Sequence, residues 1–268
     1  MTGTRIFWLG LALASALASS RRVFGQTGRV VDHNPIGWYI YNGDHSVSRR
    51  WEVHTEYQWR RIGFIRTWQQ SLIRLGAAYQ VLDKVKVAAG YTHFTTYPYG
   101  EHPVADQGAP TPEHRTHQDV QLADTVGRLV LSHRIRLEQR WLGQLAADDP
   151  RRVAGWAFQN RIRYQLQANF PLEGAGIDDQ EFYFTCFDEL FIGFGKNVGD
   201  NVYNQNRILG GIGYQFRDNF QVEVGYLNQI TQHAEGDPVT GRPVFEINNG
   251  FRVTVNYGLD FTRQAPKR

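Results

Sequence analysis

One cysteine, Cys186, occurs among the 268 residues, so no intramolecular disulfide can form. That excludes a small, disulfide-stapled secreted domain. Lysine is nearly as scarce: Lys84, Lys86, Lys196 and Lys267 are all there is, which leaves 25 of the 29 basic residues as arginine. A planar guanidinium suits confined pairing with carboxylates better than a mobile ammonium does. Beyond the first 25 residues no apolar run approaches 18, so no helix of that segment can span a membrane. The mean hydropathy of −0.46 does not speak against a barrel, because alternating strands never raise the average. No phosphate-binding glycine loop or other cofactor motif is present, and no cofactor is expected. The pI of about 9.0 comes from arginines spread along the chain, with no basic patch of the kind that binds nucleic acid.

What is present begins with an export pattern. Met1 to Arg5 give a short positive start, Ile6 to Ala18 are apolar or small throughout, and Ala16-Leu17-Ala18 offers small residues at a cleavage site. An alternative cut follows Val23-Phe24-Gly25. The expected organisation is a cleaved signal over 1–18 (or to 25), a lead-in over 19–36, a barrel over 37–261 and a polar tail over 262–268. The lack of cysteine after the cleavage region argues against a lipoprotein anchor.

The mature chain is dominated by two-residue alternation. Phe251, Val253, Val255, Tyr257, Leu259 and Phe261 alternate with Arg252, Thr254, Asn256, Gly258 and Asp260, giving one apolar and one polar strand face. The pattern recurs at 51–60, 131–141, 158–167 and 220–226. Candidate strands fall near 37–43, 49–60, 67–79, 84–96, 114–123, 128–142, 154–170, 180–193, 203–216, 219–231 and 245–261. Short polar turns, as at Arg217-Asp218-Asn219, mostly alternate with longer loops near 97–113, 142–153, 193–202 and 232–244.

A sandwich strand also has one face of each kind. Three features favour a membrane barrel over a soluble lipocalin-like or sandwich protein. The longest runs reach beyond ten residues, where globular strands usually have about 5 or 6. Aromatics such as Trp51, Trp59, Trp141, Trp156 and Tyr257 recur toward the strand ends, as interfacial girdles do. The export signal directs the chain to where such barrels are built. The expected fold is an all-β, antiparallel transmembrane β-barrel of ten to twelve strands with an arginine-rich interior. Bacterial single-chain barrels have even strand numbers, so ten or twelve is expected over the eleven counted. Either 37–43 is not a full wall strand, or another strand lies in 27–35.

An ordered set of segments adds to this reading. It runs through Glu113-His114-Arg115 with Gln118-Asp119, His133 to Arg140, Arg161-Ile162-Arg163-Tyr164, Glu189, Asn206-Arg207, Gly211 to Tyr214, Gly225-Tyr226 and the closing strand from Asn249 to Phe261. The set resembles the bacterial outer-membrane proteins catalogued as Domain of Unknown Function 2490, over most of residues 37–261. The resemblance implies a fold and an outer-membrane location, and no activity.

With apolar faces turned outward, the inward basic residues are Arg50, Arg60, Arg74, Lys86, Arg134, Arg136, Arg140, Arg161, Arg163, Arg207 and Arg252. The inward acids are Glu52, Glu56, Glu138, Glu189, Glu223 and Asp260. Rings of basic side chains favour anions, so one reading is a narrow anion-preferring channel or a lumen that binds a small anionic solute. The other is a structural network filling a small barrel, since buried charges need partners. In that network Glu138 is expected to face Arg161 or Arg163, and Glu189 to neighbour Arg163 or Arg207. The candidate lumen set is Arg134, Arg136, Glu138, Arg140, Arg161, Arg163, Glu189, Arg207, Glu223 and Arg252. A structural or binding barrel acting through its outer loops stays open, as does a barrel hydrolase. Ser132 and His133 are adjacent, so they point to opposite faces and cannot pair directly. His102, His114 and His117 with Asp106, Glu113 and Asp119 flank one loop, but their spacing does not force convergence and no metal is assigned to them. Cys186 reads as a small wall residue. Outer-membrane lipid and, through the C-terminal strand, the barrel-assembly machinery are the expected partners.

Overall fold

The computed structural model describes residues 28–104, 108–199 and 201–262. The expected signal segment and its cleavage sites, and the tail from 263, lie outside these residues. Eleven strands follow one another: β1 (Val30–Ser46), β2 (Trp51–Ile62), β3 (Thr67–Leu82), β4 (Val85–Thr96), β5 (Thr111–Val126), β6 (Leu129–Leu145), β7 (Val153–Pro171), β8 (Glu181–Phe194), β9 (Tyr203–Arg217), β10 (Phe220–Gly236) and β11 (Pro243–Tyr257). Each pairs with its sequence neighbours, and β1 pairs with β11 to close the barrel. Closure leaves no strand edge unpaired.

The strand number falls within the expected range, but its parity differs from the even count of most bacterial barrels. The reason is the seam. Ten pairings are antiparallel and the eleventh, β1 with β11, is parallel, running from Val30 opposite Val244 to Asn42 opposite Asn256. An odd strand count closes only in this way. β1 takes in both 37–43 and the stretch before it, so the two readings of that region merge into one long strand. The same register carries past β11, where Ser46 bridges Asp260 and the Phe261 N–H donates to the Ser46 carbonyl.

Local chemistry sets the hairpins. The two-residue turn between β5 and β6 holds Gly127 at a φ of 63°, a left-handed conformation that glycine adopts without strain. Strand direction alternates, so connections 97–110, 146–152, 195–202 and 237–242 share one end with the four-residue turn 63–66. The other end carries 47–50, 83–84, 127–128 and 218–219, with only 172–180 long.

Side chains alternate as the pleat demands. In β8, Phe182, Phe184, Leu190 and Phe194 are exposed on the outer face, while Tyr183, Thr185, Phe187, Glu189 and Phe191 are buried inside. Gly213 faces the same interior and leaves room for the Tyr183 ring, which a Cβ there would strike. The interior has two unlike sides. Ile36, Trp38 and Ile40 of β1 cluster with Phe187, Leu209 and Leu227 of β8, β9 and β10. Strands β2 to β9 bring arginines and carboxylates to face them.

Candidate functional site: an arginine-rich internal cavity

Register decides which charges meet. Glu56 lies directly opposite Arg74, Asp119 opposite Arg136, Glu138 opposite Arg161 and Glu189 opposite Arg207. Opposed ions on one sheet face are the closest cross-strand neighbours, so each acid meets a guanidinium at once. Arg136 grips Asp119 with two bonds, Nε at 2.6 Å and Nη2 at 2.5 Å. Arg74 is bonded to Glu56. Glu138 accepts from Arg161 at 2.6 Å and from Arg163 at 2.7 Å. Glu189 accepts from Arg163 at 2.6 Å and Arg134 at 2.8 Å, with Arg207 at 3.7 Å. Arg115 and Arg140 stand opposite each other, a repulsive placement that Glu113 relieves by accepting from both, at 2.6 and 2.5 Å. Glu138 therefore meets both partners anticipated for it, and Glu189 gains Arg134 as well.

Aromatic faces join this network to the apolar side. The Arg60 guanidinium sits 3.9 Å from the Trp38 ring centre and that of Arg207 4.8 Å from it. Arg161, Arg163 and Arg207 lie over Phe191 at 5.1, 4.5 and 4.7 Å. Such contacts stabilise desolvated cations by about 2 kcal/mol each at the upper end. Trp38 is further held by its indole N–H, which donates to Gln69 at 2.8 Å.

Between this layer and the longer loops the interior is filled. Asp32, Asn34, Gln69, Gln205, Gln229, Glu246 and Asn248 are all buried, and none borders the cavity described next. The β4–β5 loop folds into that mouth: the Tyr99 hydroxyl donates to Glu246 at 2.7 Å, and the backbone N–H groups of Glu101 and His102 donate to Asp32 at 3.1 and 3.3 Å. Burial, then the neighbouring Glu246 carboxylate, raises the Tyr99 phenol well above its ordinary pKa. On the short-turn side lies a cavity of about 300 Å³, adjoining a second of about 520 Å³ through shared Asn42, Asp44, Gln221 and Asn256. Ten arginine and lysine side chains and six carboxylates line the first, a net charge of +4. Among the described residues no carboxylate lies within ion-pair reach of Arg60 or Arg252.

Of the ten candidate lumen residues, Arg134, Arg136, Arg161, Arg163, Glu189, Arg207, Glu223 and Arg252 border this cavity. Glu138 and Arg140 stand behind them, buried among their partners. Arg50 and Asp260 correct the inward list. Arg50 is exposed in the β1–β2 turn and donates to the Tyr79 hydroxyl, and Asp260 follows β11 at the rim, on the second cavity. The loop reading of residues to 113 is corrected too. Glu113, Arg115, His117 and Asp119 are successive inward positions of β5, an alternation that could have been found by extending the period-two pattern upstream. His102, His114 and His117 go to three places: the β4–β5 loop, the outer face against Tyr91 and Trp156, and the interior. Asp106 lies outside the described residues, among which no three His, Cys, Asp or Glu side chains form a metal site. His133 points outward and bonds the Tyr164 hydroxyl at 2.8 Å, away from any serine partner. Cys186 is exposed on the outer face.

Neither the curated proteins nor the solved structures hold a match to this chain. One family does match, over residues 36–240, and the chain belongs to it: the family described as "Protein of unknown function (DUF2490)".

Proposed function

We propose that this barrel is an integral outer-membrane protein whose lumen is closed partway and serves as a binding vestibule for a small anionic solute. Support for the membrane comes from the outer face, where Ile73, Leu75, Phe182, Phe184, Ile208, Ile212 and Val224 are exposed in alternation with a polar interior. Strands of 12 to 19 residues exceed the 9–11 or so that a tilted strand needs to cross a bilayer. Tyr257, which ends the closing strand, and Phe261, just beyond it, suit recognition by the barrel-assembly machinery. The observation that carries the vestibule is the excess of cations around a cavity backed by the Trp38 ring under Arg60 and Arg207 and by Phe191 under Arg161, Arg163 and Arg207. If the longer loops face outward, as in most such barrels, the vestibule opens to the periplasm.

The test is to refold the mature chain in detergent, confirm that its gel mobility changes on boiling, and record from a planar bilayer under a salt gradient. A folded, electrically silent barrel is the expected result. Discrete channels with an anion-favouring reversal potential would replace the vestibule by a selective pore lined by the same arginines.

A further inference from the structure

The cavity has two unlike walls. His117, Arg134 and Arg136 stand on β5 and β6. In a ring of eleven strands β1 lies opposite β6, and it contributes Trp38 and Ile40, with Phe187 of β8 and Leu72 of β3 on the same cavity.

The polar wall carries donors that the protein itself does not satisfy. Arg136 spends Nε and Nη2 on Asp119, and its Nη1 is buried with no acceptor among the described residues. Arg134 gives Nη2 to Glu189 while its Nε is likewise buried and unmatched. The third such atom is Nδ1 of His117, which donates in one of its two tautomers. Arg136 and His117 are 4% and 3% exposed, so these donors are held in place and shielded from bulk solvent. Buried polar groups in folded proteins nearly always have a partner, and three orphans on residues that border one cavity mark a place for an acceptor. The surplus of positive charge there requires that acceptor to be anionic.

We infer that the cavity binds an amphipathic organic anion, with an oxyanion head on Arg134, Arg136 and His117 and a compact apolar or aromatic body against Trp38, Ile40 and Phe187. This inference rests on the vestibule reading and names its ligand class. A bare inorganic anion would leave the apolar wall uncovered, whereas a body placed there gains burial that the head alone cannot. A volume of about 300 Å³ is at the small end for metabolite pockets.

The experiment titrates the refolded full-length mature barrel calorimetrically with phenyl phosphate and, separately, with inorganic phosphate. Phenyl phosphate is expected to bind at least about tenfold more tightly. Arg136→Gln should weaken both, and Phe187→Ser should weaken phenyl phosphate alone. Where Arg136→Gln fails to refold because Asp119 loses its partner, His117→Gln replaces it, since the His117 ring makes no hydrogen bond to the wall. Equal affinity for the two anions in the unaltered protein overturns the amphipathic ligand. Absence of binding by either up to roughly 10 mM, weaker than the ~4 kcal/mol that corresponds to millimolar affinity, overturns the anion site. Failure here is distinct from failure of the closed lumen: a barrel that conducts ions refutes the closed lumen whatever the titration shows, and a silent barrel that takes neither anion leaves the lumen closed and refutes its anion binding.

Discussion

Glu138 of β6 lies directly opposite Arg161 of β7, and its second oxygen is taken by Arg163, two residues along the same strand. One carboxylate thus neutralises two guanidinia at 1% side-chain exposure. Removing it leaves Arg161 buried without a carboxylate and Arg163 with Glu189 alone, and breaking a buried pair in this way destabilises by about 3–5 kcal/mol. Glu138→Gln keeps the volume and loses the charge, so its urea midpoint should fall steeply. Lys84→Ala, which removes an exposed pair with Asp124, should leave the midpoint nearly unchanged, because water screens the two charges. Equal effects in the two variants would mean that the interior is well hydrated.

Trp38 is the wedge between the network and the apolar side, 2% exposed and flanked by Arg60 and Arg207. Trp38→Ala should cost about 3–5 kcal/mol in unfolding free energy, as large-to-small changes of buried aromatics do. It should also turn a silent barrel into a conducting one, because the space vacated adjoins the cavity. A variant that folds, loses that stability and stays silent would place the seal elsewhere, in the polar residues under the β4–β5 loop.

How far the sequence carries one is visible in particular strands. The apolar and polar faces of β11 are plain from Phe251 to Tyr257, because period-two alternation reports a face directly. β8 hides the same geometry, since aromatic and aliphatic residues occupy both of its faces and only Thr185, Asp188 and Glu189 break the run. Glu113 and Asp119 flank a histidine-bearing stretch in the sequence, yet they belong to a strand whose polar residues fall on both faces. Alternation also says nothing about register. That Glu189 gathers Arg134, Arg163 and Arg207 depends on three strands being offset correctly. The role of Trp38 follows from the parallel seam, which no local pattern announces. Parity of strand number is a property of closure, and closure is not written in any one segment.

Cys186 offers a test of what surrounds the barrel. It is exposed on the outer face near the middle of β8, flanked along that face by Phe184 and the Asp188–Asn206 hydrogen bond at 2.6 Å. In lipid vesicles this thiol should react with an apolar maleimide and resist a charged, water-soluble one, since hydrocarbon excludes the ion. The same charged reagent should label the unfolded chain readily. Fast labelling of the folded barrel in vesicles would show that this face meets water, and the outer-membrane reading would fall.

The β4–β5 loop is anchored by Tyr99 on Glu246, by His102 at 3.4 Å from Asp237, and through its backbone by Asp32. Asp32, buried at the start of β1, accepts the backbone N–H groups of Glu101 and His102, and Gly100 packs so closely on it that a Cβ would collide with the carboxylate. Hydrogen bonds to a charged acceptor are worth about 1.5–3 kcal/mol, so losing them should raise the open population of the loop by tenfold or more. Glu101 supplies the readout: its side chain is exposed, but the N–H groups on either side of the bond a glutamyl-specific protease would cut are held by Asp32, so cutting requires local opening. Asp32→Ala should therefore be cleaved at Glu101 at least about tenfold faster than the unaltered protein, while its resistance to boiling-free gel unfolding stays unchanged. Cleavage at equal rates would show that Tyr99 and its bond to Glu246 hold the loop without help from Asp32, and Tyr99→Phe would then be the variant that opens it.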